Sequence, residues 1–288
     1  MSEDTAISRI KGVPMPDYYL EYYGQLSEKA YQTFEKAAEA KSTHVDSSGI
    51  VEPKIAFDLA DRVAKMHDID IADPLRELLK VKGKELAALE LSKSIALGNY
   101  LPEESSLEER LDLAVRVGLA IVTEGVTIAP LQGISEVTIK TNRDGSEYLS
   151  VSIAGPMRSA GGTESAVTML IADHVRKAVG LAKYVANTFD DETGRFVEEL
   201  RIYERDVGSF QFHVLDEDIV TVISNLPVEL DGVDTDPNEV VNHKNMARIK
   251  TDRVRGGALR VLNDGLIGRS KKLLKRIELY GLEGWEWL

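Results

Sequence analysis

Two short runs combine arginine with paired glycines, and both have the chemistry of a phosphate contact. The first is Gly155-Pro156-Met157-Arg158-Ser159-Ala160-Gly161-Gly162-Thr163. It lies between a segment of strand character and one of helical periodicity. A glycine-rich turn entering a helix exposes backbone N–H groups at the positive end of the helix dipole, a geometry suited to an anion. Arg158 would add a charge-assisted fork, and Ser159 and Thr163 could donate to phosphate. Equally, the glycines could simply make a tight turn with Thr163 as N-cap. The run lacks the lysine of a Walker A loop and the glycine spacing of the dinucleotide fingerprint. The second run is Arg253-Val254-Arg255-Gly256-Gly257. It would set two guanidinium groups beside bare backbone, to meet a ligand or to pair with the acidic stretch that precedes it. Two such segments could converge on one phosphate-lined surface.

Other reactive types are less organised. Asp190-Asp191-Glu192 and the trio Asp231, Asp234 and Asp236 could hold magnesium in principle, but solvated loops are the commoner fate of such clusters. The five histidines, His44, His67, His174, His213 and His243, are scattered. None pairs with another at ligand spacing on one helix, so no metal site is expected. No nucleophile–base arrangement and no strand-borne pair of aspartates of the two-metal type is evident. No catalytic residue is therefore assigned in this chain.

Charge is segregated. The chain of 288 residues carries a net charge of −13, which disfavours polyanions unless basic residues are gathered. From His243 to Arg276 eleven Lys or Arg face only Asp252 and Asp264, a local balance of +9. Lys271, Lys272 and Lys275 close that stretch and join the candidate phosphate contacts. From Asn187 to Val240 fifteen acids face three arginines. Such polarity suggests a separate partner for each pole, or two solvated faces.

The elements that must position these residues read as an α+β chain. Helices are expected over Asp17–Lys41, where Tyr19, Tyr22, Tyr23, Leu26, Ala30, Tyr31 and Phe34 recur at spacings of three and four. A loop over Ser42–Gly49 follows, then helices from Pro53, near Pro74 and over Lys84–Ala96. Ser106 with Glu109 signals a capping box ahead of another helix. Strand character begins near residue 123, with Val126–Leu131 and Ile134–Lys140. Asp144-Gly145 turns the chain into Tyr148–Ile153 as a hairpin partner. Helices are then expected over Thr163–Val179, Thr193–Val207 and Asp216–Ser224. An irregular acidic connection with one strand leads to two basic helical segments. This gives a helical region at 1–122, for assembly or oligomerisation, and an α+β region at 123–288 facing nucleic acid. The chain ends on GLEGWEWL, which reads as a truncation or as an edge awaiting a partner. Tyr19, Tyr22, Tyr23, Trp285 and Trp287 are the candidate self-association residues, which would make a homodimer. There is no cysteine, no apolar run long enough for a membrane span and no secretory signal, so a cytoplasmic protein is expected.

Taken in order, Thr123-Glu124-Gly125-Val126-Thr127-Ile128-Ala129-Pro130-Leu131, GPMRSAGGT from Gly155 and Asp252-Arg253-Val254-Arg255-Gly256-Gly257 resemble the N-terminal region of the large subunit of archaeal D-family DNA polymerases. The opening MPDYYLEYY from Met15 and the closing GLEGWEWL are similar to the same family, so the resemblance spans essentially the whole chain. It implies an accessory and assembly portion, helical and then α+β with a KH-like sheet, of a replicative DNA-directed DNA polymerase. The nucleotidyltransferase centre and its Mg2+ would lie in later barrels. The implied partners are a small subunit bearing 3′–5′ exonuclease activity, primer–template DNA and the remainder of the large subunit. No cofactor is implied for this portion, and the isolated piece is expected to synthesise no DNA. The stretch from Asn225 to Gly232 departs from the pattern: some relatives are expected to carry cysteines there, so a zinc role is unsupported. Two other readings of the residues stay open. One is a purely structural scaffold or dimerisation domain, and the other a stand-alone nucleotide-binding enzyme using the glycine-rich turn.

Overall fold

A computed structural model describes residues 17–42, 56–188 and 191–288. All but the first residue of the Ser42–Gly49 loop, the helix start at Pro53, His44 and Asp190 lie outside the described residues. The first helix, α1 (Asp17–Ser42), keeps the expected tyrosines at its surface, with Tyr19, Tyr22 and Tyr23 all exposed. Helix α2 (Leu59–His67) starts where the Asp58 side chain accepts the Asp61 amide at 2.7 Å. Helix α3 (Ala72–Ala96) merges the two helices expected there. Gly83 breaks it with φ 73° and ψ 171°, a backbone state open essentially to glycine alone. Helix α4 (Leu107–Val122) begins with the capping box anticipated at Ser106 and Glu109, so two of its orphan N–H groups are satisfied reciprocally.

One expectation fails directly after α4. The strand read over Val126–Leu131 is instead a wide helical turn at Ile128–Gly133, with the Leu131 amide bonded to the Thr127 carbonyl at 3.1 Å. Pro130 explains this, since it has no N–H for a sheet ladder and its fixed φ suits a helical turn.

The sheet holds three strands in the order β1-β2-β3 among the described residues. Strands β1 (Ile134–Thr141) and β2 (Glu147–Ile153) form the expected antiparallel hairpin, and Gly145 at its tip has φ +87°. The acidic connection supplies β3 (Glu229–Gly232), parallel to β2, with Ser150 opposite Glu229 and Ile153 opposite Gly232. Strand β2 is thus central, and every residue from Tyr148 to Ile153 is buried. Its four large apolar side chains each contribute about 1.5–3 kcal/mol by leaving water.

Helix α5 (Gly162–Ala178) packs on β2 and on α3 and α4. Helices α6 (Glu192–Asp206) and α7 (Asp216–Asn225) follow, close to the expected ranges, and α8 (Gly256–Arg260) and α9 (Ser270–Tyr280) lie in the part where two basic helical segments were expected. The boundary placed near 123 falls at Thr123, the C-cap of α4, yet one hydrophobic core runs on from Ala60 to Trp285. The C-terminal tryptophans fold back. Trp285 is 1% exposed and donates from Nε1 to Asp173 Oδ2 at 2.8 Å. Trp287 stacks on it with ring centroids 5.4 Å apart and donates to the Gly284 carbonyl. Trp285 is therefore core in this fold, not a contact held at the surface. The hydrophobicity that suggested an exposed edge is consumed within the chain.

Candidate functional site

The two Arg-Gly-Gly segments do meet. Residues 155–159 form a single 3-10 turn after β2, and α8 begins at Gly256 immediately beside it. The glycines permit this approach. A Cβ on Gly257 would lie 2.6 Å from the Ala154 carbonyl oxygen. One on Gly256 would lie 2.7 Å from Asp236 Oδ2 and 2.8 Å from the Tyr203 ring. Gly162 serves the same end, because its Cβ would come within 3.0 Å of the Asp264 carbonyl carbon in the turn Val261–Ile267. These glycines admit other backbone and side chains where a phosphate cradle would need open space.

What fills the meeting point is charge already paired. Arg255 is 1% exposed, and its Nη1 donates to Asp231 Oδ1 at 2.9 Å. Its Nε donates to Glu199 Oε1 at 3.0 Å, and its guanidinium lies over the Phe196 ring. Glu199 also receives Arg195 Nε, one turn earlier on α6. Arg195 then donates Nη1 to the His243 carbonyl at 2.6 Å and Nη2 to the Thr251 carbonyl at 2.8 Å, so one buried guanidinium ties the loop 243–251 to α6. On the far side, β3 presents Asp231 and Glu229 two residues apart, hence on one face, and Lys140 from β1 lies 2.8 Å from each. Burial alone would raise the Asp231 carboxyl, but Arg255 and Lys140 outweigh it and hold it below the usual range. Lys140 is the cation Glu229 pairs with among the described residues, and burial pushes the Glu229 carboxyl up. Burial would lower Lys140, and the two carboxylates raise it instead.

Arg158 closes the cluster from outside. It pairs with Asp236 and Thr235 Oγ1 and lies 5.6 Å from the Tyr203 ring centroid. Thr235 Oγ1 also accepts the Gly256 amide at 2.9 Å, which links the two segments through one hydroxyl. Arg260 covers Tyr203 and Phe210 and pairs with Asp264 at 2.5 Å.

The remaining expected residues are dispersed. Gly161 is the N-cap of α5, so Thr163 falls inside the helix, and the Glu164 carboxylate lies over Gly161 at the helix start. Ser159 is exposed at the end of its turn. Arg253 is half exposed and stands 3.6 Å from Asp234. Lys271, Lys272 and Lys275 are exposed on α9. In the acid clusters, Asp191 caps α6, and Glu192 is buried against Arg248 at 2.7 Å and the Tyr184 hydroxyl at 2.7 Å. Burial, reinforced by the Glu192 carboxylate, drives the Tyr184 hydroxyl well above its ordinary range. His243 sits between Glu198 at 2.5 Å and Asp191 at 3.2 Å. Burial opposes ionisation of Glu198, but the Asn242 and Val241 amides and the His243 ring pull it down to about 2. Among the described residues no group of three His, Asp or Glu stands at metal-binding spacing.

The reading of the residues missed Arg195, Glu199 and Lys140. The first two carried a signal, an Arg–Glu pair at i, i+4 on one helix face, but one indistinguishable from a surface pair. Lys140 carried none.

Comparison with known proteins gives one consistent result. Residues 21–288 match the sequence family described as DNA polymerase II large subunit DP2, N-terminal. A DNA polymerase II large subunit from Cenarchaeum symbiosum (strain A) is 77% identical over 279 residues, covering 97% of this chain and 25% of that protein. The protein of the same name from Methanococcus maripaludis (strain C5) is 40% identical over 269 residues, 93% of this chain and 23% of that protein. The one from Thermoplasma volcanium is 39% identical over 268 residues, 93% of this chain and 24% of that protein. The chain thus spans about a quarter of the length of the curated relatives it matches.

Proposed function

Because the chain belongs to the DNA polymerase II large subunit DP2 N-terminal family, we propose that it acts within a DNA-directed DNA polymerase as a non-catalytic bracing region. The observation that carries this is the closed charge network around Arg255, in which Glu199, Asp231 and Arg195 neutralise one another away from water. A phosphate or nucleotide has no free guanidinium to reach there. The carboxylates equally do not fit a magnesium site, since Glu229, Asp231, Asp236 and Glu199 each face a cation. The Mg2+ required for nucleotidyl transfer is therefore assigned to the rest of the large subunit. So are the catalytic carboxylates, and a small subunit with 3′–5′ exonuclease activity is the proposed partner. The name large subunit, borne by the relatives, supports a second subunit. The test is template-directed incorporation. The purified chain should incorporate no deoxynucleotide at any Mg2+ concentration, whereas the complete two-subunit enzyme should. Incorporation by the chain alone overturns the assignment.

The exposed tyrosines of α1 favour a second role in assembly. Tyr18, Tyr19, Tyr22 and Tyr23 crowd one end of the helix, with Tyr18 and Tyr19 ring centroids 4.1 Å apart. Sedimentation equilibrium of the chain and of a Tyr19→Ser/Tyr22→Ser/Tyr23→Ser variant checks it: a dimer in the first and a monomer in the second is the expected pair of results. A monomeric parent chain removes the self-association reading.

A further inference from the structure

The eleven cations between His243 and Arg276 divide cleanly into two groups. Seven are paired with carboxylates: Lys244 with Glu239, Arg248 with Glu192, Lys250 with Glu136, Arg253 with Asp234, Arg255 with Glu199 and Asp231, Arg260 with Asp264, and Arg276 with Glu85. Arg269, Lys271, Lys272 and Lys275 have no carboxylate partner among the described residues, and they are consecutive in the set. Arg269 caps α9, and the three lysines lie in its first two turns.

Their placement opposes the helix they sit on. The first turn of α9 carries no acid and two lysines, and its last turn carries no base. Cations at the positive end of a helix are locally unfavourable, typically by about 0.3–1 kcal/mol each. Among the described residues no carboxylate compensates, and Leu273, Ile277 and Tyr280 on the opposite side of α9 are buried and secure the helix without the lysines. Arg269 is held ready rather than used. Its guanidinium lies 4.8 Å from the Phe212 ring centroid, and Nη2 donates to Gln211 Oε1 at 2.9 Å, which fixes its direction without neutralising it.

We infer that this start of α9 is a contact surface for the sugar–phosphate backbone of nucleic acid, touched without reading sequence. The inference rests on the proposed place of the chain in a polymerase, which supplies nucleic acid in preference to an acidic protein. Geometry agrees. Lys271 and Lys275 are separated by about 6 Å along the helix axis, and phosphates of one strand repeat every ~3.4 Å along the duplex. The row from Arg269 to Lys275, about 9 Å along the axis, thus spans about three phosphates. Lysine suits the task, being a compact point charge on a flexible stem.

The experiment measures primer–template affinity of the complete two-subunit enzyme by fluorescence anisotropy across a salt series. It compares the parent with Lys271→Gln/Lys272→Gln/Lys275→Gln and with a charge-matched triple from the paired set, Lys244→Gln/Lys250→Gln/Arg253→Gln. Each phosphate contact contributes about 0.9 to the slope of log affinity against log salt. The first variant should lose about three units of slope and bind at least ten-fold more weakly at low salt, with a melting temperature equal to the parent's or slightly raised. The second should keep the parental slope. Equal slopes in the parent and the α9 variant overturn the inference, as does an equal loss in both variants, which would reflect net charge alone. Retained DNA binding with loss of the other subunit from the α9 variant also overturns it, in favour of an acidic protein partner. A parent enzyme that binds no primer–template at any salt would sink the polymerase reading itself, a different failure.

Discussion

Replacing Arg255 by methionine keeps most of the side-chain volume and removes the charge. In the fold Arg255 faces Glu199, whose side chain is 0% exposed, and Asp231, whose side chain is 7% exposed. Asp231 would keep Lys140 and Glu199 would keep Arg195, but each carboxylate would lose its second cation in a place water does not reach. Breaking a buried pair from one side costs about 3–5 kcal/mol, chiefly because uncompensated charge is left behind. For a chain of this size about 2–4 °C of melting temperature follows each kcal/mol, so a fall of roughly 6–20 °C is expected. Arg255→Lys should fall between, since a point charge cannot bridge both carboxylates as a planar fork does. Circular dichroism melts of the purified chain, backed by urea titration, measure this. An Arg255→Met variant within about 1 kcal/mol of the parent would refute the reasoning, because it would mean that water already reaches the site and that Arg255 is not the element holding it closed.

Gly257→Ala should destabilise by about 1–3 kcal/mol, because its Cβ would meet immovable backbone at Ala154; Gly24→Ala in α1, where a Cβ meets nothing, should leave stability equal or raised on the same melts. His67 supplies a pH test. Burial, with a smaller contribution from Arg116, lowers its ring to about 4, from an ordinary 6.5. The folded state keeps it neutral while the unfolded chain binds a proton, so stability should fall as pH drops from about 6.5 through 4. His67→Gln should flatten that part of the curve in urea titrations at stepped pH; an unchanged slope rejects a neutral buried His67. Glu198, held down to about 2, acts in a lower window. Its contribution is complete above about 4.5 and is lost as pH falls through 2, and Glu198→Gln should remove that acid-side loss in the same titrations.

Local structure was largely legible in the residues because it is decided by neighbours. The hairpin at Asp144-Gly145, the capping box at Ser106 and the ranges of α5, α6 and α7 each depend on contacts a few residues apart. Pro130 was legible too, since its missing N–H argues against a sheet ladder at Val126–Leu131. The destination of the arginines was not legible. Arg158 finds Asp236 78 residues away, and Lys140 finds Asp231 91 residues away. An arginine beside glycines looks the same in sequence whether it meets a phosphate or a distant carboxylate. The acidic excess between Asn187 and Val240 was the available hint, and Glu192, Glu199, Asp231, Asp234 and Glu239 from that stretch do face cations of the basic one. Trp285 shows the same limit: a terminal aromatic run reads as exposed until the Asp173 carboxylate that receives its indole N–H is placed beside it.

Calorimetric titration of the folded chain with a deoxynucleoside triphosphate asks most directly whether the junction of the two Arg-Gly-Gly segments is closed. With every guanidinium at that junction already held by carboxylates, the expected result is heat of dilution alone, with and without Mg2+. A saturable one-to-one isotherm that disappears in Arg158→Met would contradict it, and would return those segments to the status of an anion pocket.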